Sequence, residues 1–307
     1  MREPAGDARL VESTGRITVT GACGWLGTHI VEMLLARGVA VTGVDKFAPK
    51  FEPDNKLYRH VVADLRDKDD LTQAVEGAEI VIHTAALHGY HLKYMSKEEL
   101  LFNNIMSDNN LFEISIEHGV KHIVFTSSTS IYGLSKREQR EAIWVDEQLD
   151  PRPDDIYDLT KMLSEEHLQI ACQKHAIGVI ALRATRFFRA DDLNYNLLKL
   201  YRGVDVRDVA EAHVLAAFAR LPTGFEAYNI AAHCPFKKSD CAGLYRHAPS
   251  VVENYFPGAG QMLARMNAAM PESIDRIFDI SKAREHLGYV PKHNFRDYYN
   301  SKMREMS

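Results

Sequence analysis

Over roughly the first 180 residues, short β-branched runs alternate with stretches whose apolar residues recur at helical spacing. Strand candidates lie at 16–20, 40–45, 60–63, 80–83, 122–127 and 178–183, and the helical patterns between them cover 26–37, 68–75, 98–118 and 155–175. A strand that rejoins its sheet after a helix runs parallel to the one before it. The pattern therefore predicts an α/β fold built from βαβ units, with a parallel sheet and right-handed crossovers. Gly38, Gly77 and Gly119 stand just past the last apolar-periodic residue of three helices, where a left-handed cap is expected.

After residue 183 the rhythm changes. A loop-like stretch at 187–204 precedes a helix near 206–220 and a short strand near 227–230; residues 231–307 read as short helices and loops. For 307 residues, a large unit with a smaller second one is the natural division. We expect an N-terminal arm at 1–15, a main domain at 16–183 plus about 205–231, and a small C-terminal α/β unit at about 184–204 plus 232–307. No Gly/Ser-rich hinge separates the two, so their cores should be contiguous. Phe236, Tyr245, Tyr255, Phe256 and Phe278 read as the small unit's core.

Several partner classes are excluded as expectations. A net charge of −5 gives no positive field to draw the chain onto nucleic acid or an anionic membrane. No apolar run reaches the ~18 residues of a membrane helix, and the first fifteen residues contain no secretory apolar core. Cys23, Cys172, Cys234 and Cys241 are scattered without a CxxC pair, which points to a reducing, cytoplasmic setting. His83, His88 and His91 in HTAALHGYH match no metal-ligand spacing, so no metal is expected.

The chemistry begins in TGACGWLG. Gly21, Gly24 and Gly27 lie directly between a strand and a helix, as a pyrophosphate-binding turn requires: a tight bend, close backbone approach and a helix N-terminus facing the phosphates. Eighteen residues after Gly27 the next strand ends in Asp45, whose carboxylate suits both adenosine ribose hydroxyls and repels a 2′-phosphate. This favours NAD over NADP, with Lys46 beside it acting the other way. Asp64 ends the following strand and faces either the adenine amino group or the start of the next helix, as its N-cap.

Tyr157 and Lys161 are four apart within a helical pattern and so share one face. An ammonium near a phenol stabilises the phenolate, which can then exchange a proton with a secondary alcohol or ketone. Ser127 and Ser128 in FTSSTSIYG end a buried strand on the carboxyl edge of the sheet, where ligands bind in such folds. A hydroxyl there can hold the substrate oxygen while Tyr157 moves its proton.

With these residues the chain resembles the NAD-dependent epimerase/dehydratase family of extended short-chain dehydrogenases/reductases. The ordered matches are TGACGWLG, Asp45, ADL at 63–65, HTAA at 83–86, NNIMSDNNLF at 103–112, SSTSIYG, YDLTK, LRATRFF and VDVRDVAEAHVLA, with a weaker match at DISKAREHLGYVPKHNF. The resemblance implies a Rossmann-type doubly wound sheet with a small substrate-binding unit. It assigns Ser128, Tyr157 and Lys161 as the catalytic set, with Lys161 also on the nicotinamide ribose. Trp25, Leu26, Leu65, Ala85, Ala86, Asn104, Ser127, Ala184 and Thr185 would line the cofactor, and His88, Thr129, Arg186 and Arg189 the substrate. It also implies a homodimer through the helices near 98–118 and 155–175.

Two departures bear on the substrate. Family dehydratases carry an Asp–Glu pair directly after the catalytic Ser/Thr, where this chain has Thr129 and Ser130, so dehydration is not expected. Only fifteen residues, RADDLNYNLLKLYRG, separate LRATRFF from VDVRDV, a shorter clasp than sugar-nucleotide enzymes use. Arg186, Arg189 and Arg202 around it suit an anionic group. The expectation is hydride transfer at a secondary alcohol or ketone of a sugar or sugar-nucleotide-like substrate, with an epimerase as the leading reading and a dehydrogenase or reductase of a smaller sugar, polyol or hydroxy compound as the alternative. Family frequency favours an epimerase; the short clasp favours a dehydrogenase or reductase of a smaller compound. A cofactor-sensing protein without turnover is the third reading.

Overall fold

The computed structural model describes residues 15–49, 55–135, 140–188, 191–219 and 223–306. Most of the N-terminal arm, 1–14, and Arg189 lie outside them. Seven strands, β1 (Arg16–Thr20), β2 (Val41–Asp45), β3 (Tyr58–Val62), β4 (Ala78–His83), β5 (His122–Ser128), β7 (Gly178–Ala184) and β8 (Gly224–Ile230), form one sheet. Its order is β3-β2-β1-β4-β5-β7-β8, and every neighbouring pair is parallel. This is the expected doubly wound, Rossmann-type arrangement. The order reverses between β1 and β4, which opens a crevice beyond their carboxyl ends.

The sheet is buried on both faces, as parallel sheets must be. In β1, Ile17 and Val19 join the cluster under α1 (Trp25–Ala36) and α6 (Val206–Ala217). Ile30 and Leu34 of α1 are fully buried there, each worth about 2 kcal/mol relative to exposure. The alternate residues Thr18 and Thr20 are buried too, and both are satisfied: Thr18 donates to the Ala74 carbonyl at 2.8 Å, and Thr20 meets His83 Nδ1 at 2.6 Å. On the second face, α2 (Lys68–Val75), α3 (Lys97–Glu117) and α4 (Ile156–Lys174) bury Leu71, Leu111, Phe112 and Leu168. Gly38, Gly77 and Gly119 all have positive φ after their helices.

Beyond β7 the short helices expected in the tail are present, and the chain departs from the sequence expectation in two places, a helix within 187–204 and a strand in the tail. The loop-like 187–204 stretch contains a two-turn helix, α5 (Asp192–Leu198), capped by Asp191. The tail holds α7 (Cys241–Tyr255), broken at His247 and carrying Pro249, then α8 (Ala259–Arg265), α9 (Ser281–Leu287) and α10 (Phe295–Met306). It also holds a strand, β9 (Arg276–Phe278), paired in parallel with β6 (Ile143–Val145), which the chain inserts between β5 and α4. Three residues on each side are too few to show a strand period. Phe236 and Phe256 belong to the tail cluster, whereas Phe278 packs into the main one and Tyr245 is exposed.

Candidate active site

A cavity of about 1390 Å³ follows the crevice from the β1 turn to the N-terminus of α4. At one end the chain leaves β1 through Gly21, at φ 69°. A Cβ on Gly27 would fall 2.1 Å from the Gly21 carbonyl oxygen, so only glycine lets α1 start this close. No side chain caps α1 at Gly24. Asp45 accepts the Cys23 N–H at 3.1 Å and the Phe47 N–H at 3.2 Å, which fixes its carboxyl beside the glycine turn. Asp64 also lines the cavity, and hydrogen bonds from Arg66 pull its carboxyl down to about 2. Of its two sequence readings, the cap is set aside: Asp67 caps α2 by accepting the Asp69 N–H.

At the other end Tyr157 and Lys161 project from the first two turns of α4. Burial, followed by the charges of Asp158, Asp108 and Asp155, raises the Tyr157 phenol; a hydrogen bond with Ser128 opposes this. The lowered phenol expected from Lys161 is therefore not seen: desolvation and three carboxylates outweigh the Ser128 hydrogen bond. Lys161 is itself pushed down by burial, with Asp108 and Glu165 acting to keep it charged. Its Nζ lies 4.5 Å from the centre of the Phe125 ring.

Sequence reasoning misses the groups behind this pair. Asp108 accepts from His83 Nε2 at 2.8 Å and from the Ser164 hydroxyl. Burial raises its carboxyl, but His83, Lys161 and Ser164 outweigh that and hold it low. His83, considered above only as a metal ligand, thus links Thr20 on β1 to Asp108 on α3. Glu165 accepts from Ser127 and forms a buried ion pair with Arg183 at 2.6 Å. Asn104 is fully engaged: it accepts the Leu87 N–H at 2.8 Å and donates to the Leu87 carbonyl at 2.9 Å and to Thr160 at 3.2 Å. No group of three metal-ligating side chains occurs among the described residues.

Apart from Arg189, every site residue expected from the sequence lines this cavity. His88 sits edge-on to Tyr157, ring centres 5.8 Å apart, and burial with the charge of Lys161 pushes its imidazole down to about 4. Thr129 and Thr185 are buried, Thr185 donating to the Ile230 carbonyl at 3.2 Å. Arg186 is lowered by burial and by neighbouring Arg202, whose Nε is buried with no hydrogen-bond partner among the described residues.

The sequence pattern of the NAD-dependent epimerase/dehydratase family matches residues 17–196. The chain belongs to this family. Within it, a uronate dehydrogenase from Pseudomonas putida is 29% identical over 170 residues, 55% of this chain and 59% of that protein. A UDP-glucose 4-epimerase from Pisum sativum is 32% identical over 171 residues, 51% of this chain and 47% of that protein. The alignments thus span about half the length of these curated relatives. In structure, a Thermus thermophilus UDP-glucose 4-epimerase in complex with NAD superposes at TM-score 0.64 and 25% identity, over 93% of this chain and 99% of that one. MoeE5 in complex with UDP-glucuronic acid and NAD gives 0.69 at 22% identity, over 95% and 100%, and shares the fold. No helix among the described residues is long and apolar enough to cross a membrane.

Proposed function

We propose that this family member is an NAD-dependent dehydrogenase or reductase acting at a secondary alcohol or ketone of a sugar-like substrate with an anionic group. The observation that carries the reading is the convergence of Ser128, Tyr157 and Lys161 with the glycine turn in one cavity. The residues fit a dinucleotide. Glycines 21 and 27 leave room for backbone approach, the first turn of α1 takes the pyrophosphate, and Asp45 takes the ribose hydroxyls in preference to a 2′-phosphate. Bound NAD supplies the hydride acceptor.

The chain's own groups then divide the work. Ser128 holds the substrate oxygen and Tyr157 exchanges the proton on it. Raised as it is, the phenol stands protonated and ready as an acid toward a ketone. To act as base it depends on the Lys161 charge, which Asp108 and Glu165 maintain against burial. His88, neutral well above its lowered pKa of about 4, contributes an imidazole edge beside Tyr157 without a competing charge. Arg186 and Arg202, two like charges side by side, form a natural seat for a carboxylate or phosphate.

In this reading residues 16–183 and about 205–231 hold the cofactor, while about 184–204 and 232–307 take the substrate. Arg186, Arg202, Asp275 and Arg276 line the cavity from the latter group. The short connection from Ala184 to Val206 favours a substrate smaller than a sugar nucleotide. Epimerisation is the second reading, favoured by the family and by the pea relative. Exposed Phe102, Leu163 and Ile170 on α3 and α4 support a homodimer through those helices, and a monomeric mass in solution would remove that reading.

The deciding experiment is to denature the purified full chain and identify any nucleotide released, then to titrate NAD and NADP. Reversible NAD binding, with NADH formed from a sugar acid or sugar phosphate, supports the dehydrogenase. Near-stoichiometric NAD retained through purification supports the epimerase. Binding without turnover of any sugar or polyol leaves a sensor. No binding of either dinucleotide overturns all three.

A further inference from the structure

We propose that Glu165 and Arg183 are positioning residues, a buried pair that fixes the place of the Ser128 hydroxyl relative to Tyr157 and Lys161. The inference rests on the hydride-transfer reading above. Ser128 ends β5, whereas Tyr157 and Lys161 belong to α4. Between them the chain makes a turn at 129–132 and then runs through β6. Covalent connection alone does not set the separation of the three groups. Side chains that cross from the helix to the strand have to do it.

Glu165 crosses that gap. It stands about one turn of α4 beyond Lys161 and about two beyond Tyr157. On the sheet, Ser127 of β5 and Arg183 of β7 are direct neighbours in the parallel register, and both donate to the Glu165 carboxylate. Ser127 takes Oε1, which also accepts from Arg183 Nε at 3.0 Å, while Arg183 Nη2 donates to Oε2 at 2.6 Å. The remaining arm of the guanidinium, Nη1, donates to the Tyr132 hydroxyl at 2.6 Å. Tyr132 is fully buried and closes the turn that Ser128 opens. Burial pushes its phenol up to about 12 against the pull of Arg183, and it donates in turn to Asn229 Oδ1 on β8 at 3.3 Å. Ser128 Oγ caps the turn by accepting the Ser130 N–H at 3.1 Å, so a shift of the turn is a shift of that hydroxyl. The turn is therefore tied just before Ser128, through Ser127, and at its end, through Tyr132. Both ties lead to the helix of Tyr157.

Stability alone does not account for such a pair. Taking two charges out of water costs about what their attraction returns, and well-packed apolar residues of similar volume serve a fold as well or better. What apolar residues lack is direction: a guanidinium fork on both oxygens of a carboxylate fixes angles as well as distance. Among the described residues, every side-chain hydrogen bond of Glu165 and Arg183 runs within the pair or to Ser127 or Tyr132.

Two substitutions release the ties while leaving both charges in place: Ser127→Ala and Tyr132→Phe. A misplacement of about 1 Å costs on the order of 100-fold in rate, so the partial release in each variant should lower kcat about tenfold. The loss should be the same at every pH, Ser127→Thr should restore it, and Tyr132→Phe should bind NAD as wild type does. In the NAD-free full chain, amide hydrogen exchange followed by NMR reads the turn directly. Both variants should speed exchange at Ser130 about tenfold and leave Val124, in the middle of β5, at the wild-type rate. Wild-type kcat in both variants would overturn the proposal, and so would a loss confined to one limb of the pH profile, which would assign the effect to the Lys161 charge. Unchanged exchange at Ser130, or an equal rise at Val124, would overturn it as well. The exchange measurement needs no turnover. A wild-type protein that oxidises no sugar therefore defeats the hydride-transfer reading while Ser130 exchange still decides whether the pair holds the turn.

Discussion

On one side of Tyr157 the buried Asp108 carboxyl is held low; on the other the buried Asp158 carboxyl is lifted to about 6. Both lose water, and for both burial is the largest influence. The difference lies in what replaces the water. Asp108 receives His83, Ser164 and the nearby Lys161 charge, enough to outweigh desolvation. Asp158 receives a Ser130 hydrogen bond and two backbone N–H groups against burial and a like charge from Asp155. Depth therefore says little about a buried acid's protonation state. The donors and cations within reach decide it, and here they make one carboxylate a fixed charge supporting Lys161 and leave the other free to titrate.

Four substitutions test that contrast. Tyr157→Phe removes the centre on which both sides act and should cost turnover about 10³-fold while leaving NAD binding largely intact. Turnover at the wild-type level in a steady-state assay would take Tyr157 out of the proton transfer. Next in size, Asp108→Asn should destabilise the NAD-free protein by about 3 kcal/mol at about pH 7, measured by urea unfolding. A lowered carboxyl contributes stability above its unfolded pKa and loses it as pH falls through the folded value, so this deficit should shrink in acid. A deficit of equal size at both pH values would assign the effect to packing.

Asp158→Asn should have the opposite sign. A raised carboxyl contributes stability below the unfolded value, 3.8, and loses it as pH rises through about 6. The asparagine variant should therefore be more stable than wild type by about 1–2 kcal/mol at about pH 8, with no such gain in acid. Equal melting curves at both pH values would mean the two carboxyls are not different in kind. At the far end of the cavity, Asp45→Ala serves as the contrast to both. It should move the NADP-to-NAD affinity ratio by about tenfold. An unmoved ratio in paired titrations would place ribose recognition elsewhere.

Much of this architecture is legible in the amino-acid sequence alone. The βαβ rhythm places β1, β5, β7 and α2 within a residue of where they fall, and the glycine turn with its downstream Asp45 needs only spacing. Asp108 and Asp158 are legible as residues but not as opposites. Asp108 takes its partners from 25 residues upstream and 56 downstream, a set that only the packing of α3 against β4 and α4 assembles. Asp158 lies inside the motif that draws attention to Tyr157, yet an acid at a helix start looks like ordinary dipole complementation. Nothing in one sequence says that burial overrides it. The β6–β9 pair hides for a different reason, since two three-residue strands carry no periodic signal.

That small pair also bears on how the chain is made. β6 lies between β5 and α4, the elements that carry Ser128 and Tyr157, and its partner β9 begins 133 residues later. Arg276 of β9 donates at 3.1 Å to the carbonyl of Tyr132, on the turn that holds Ser130. At a synthesis rate of roughly 5–20 residues per second, β6 waits on the order of ten seconds on the ribosome before β9 emerges. The Rossmann half can gather its sheet during that time. The wall around Ser128 and Ser130 is finished last, so a chain stalled within the tail would carry Ser128 and Tyr157, the proposed catalytic residues, with an unpaired strand edge beside them.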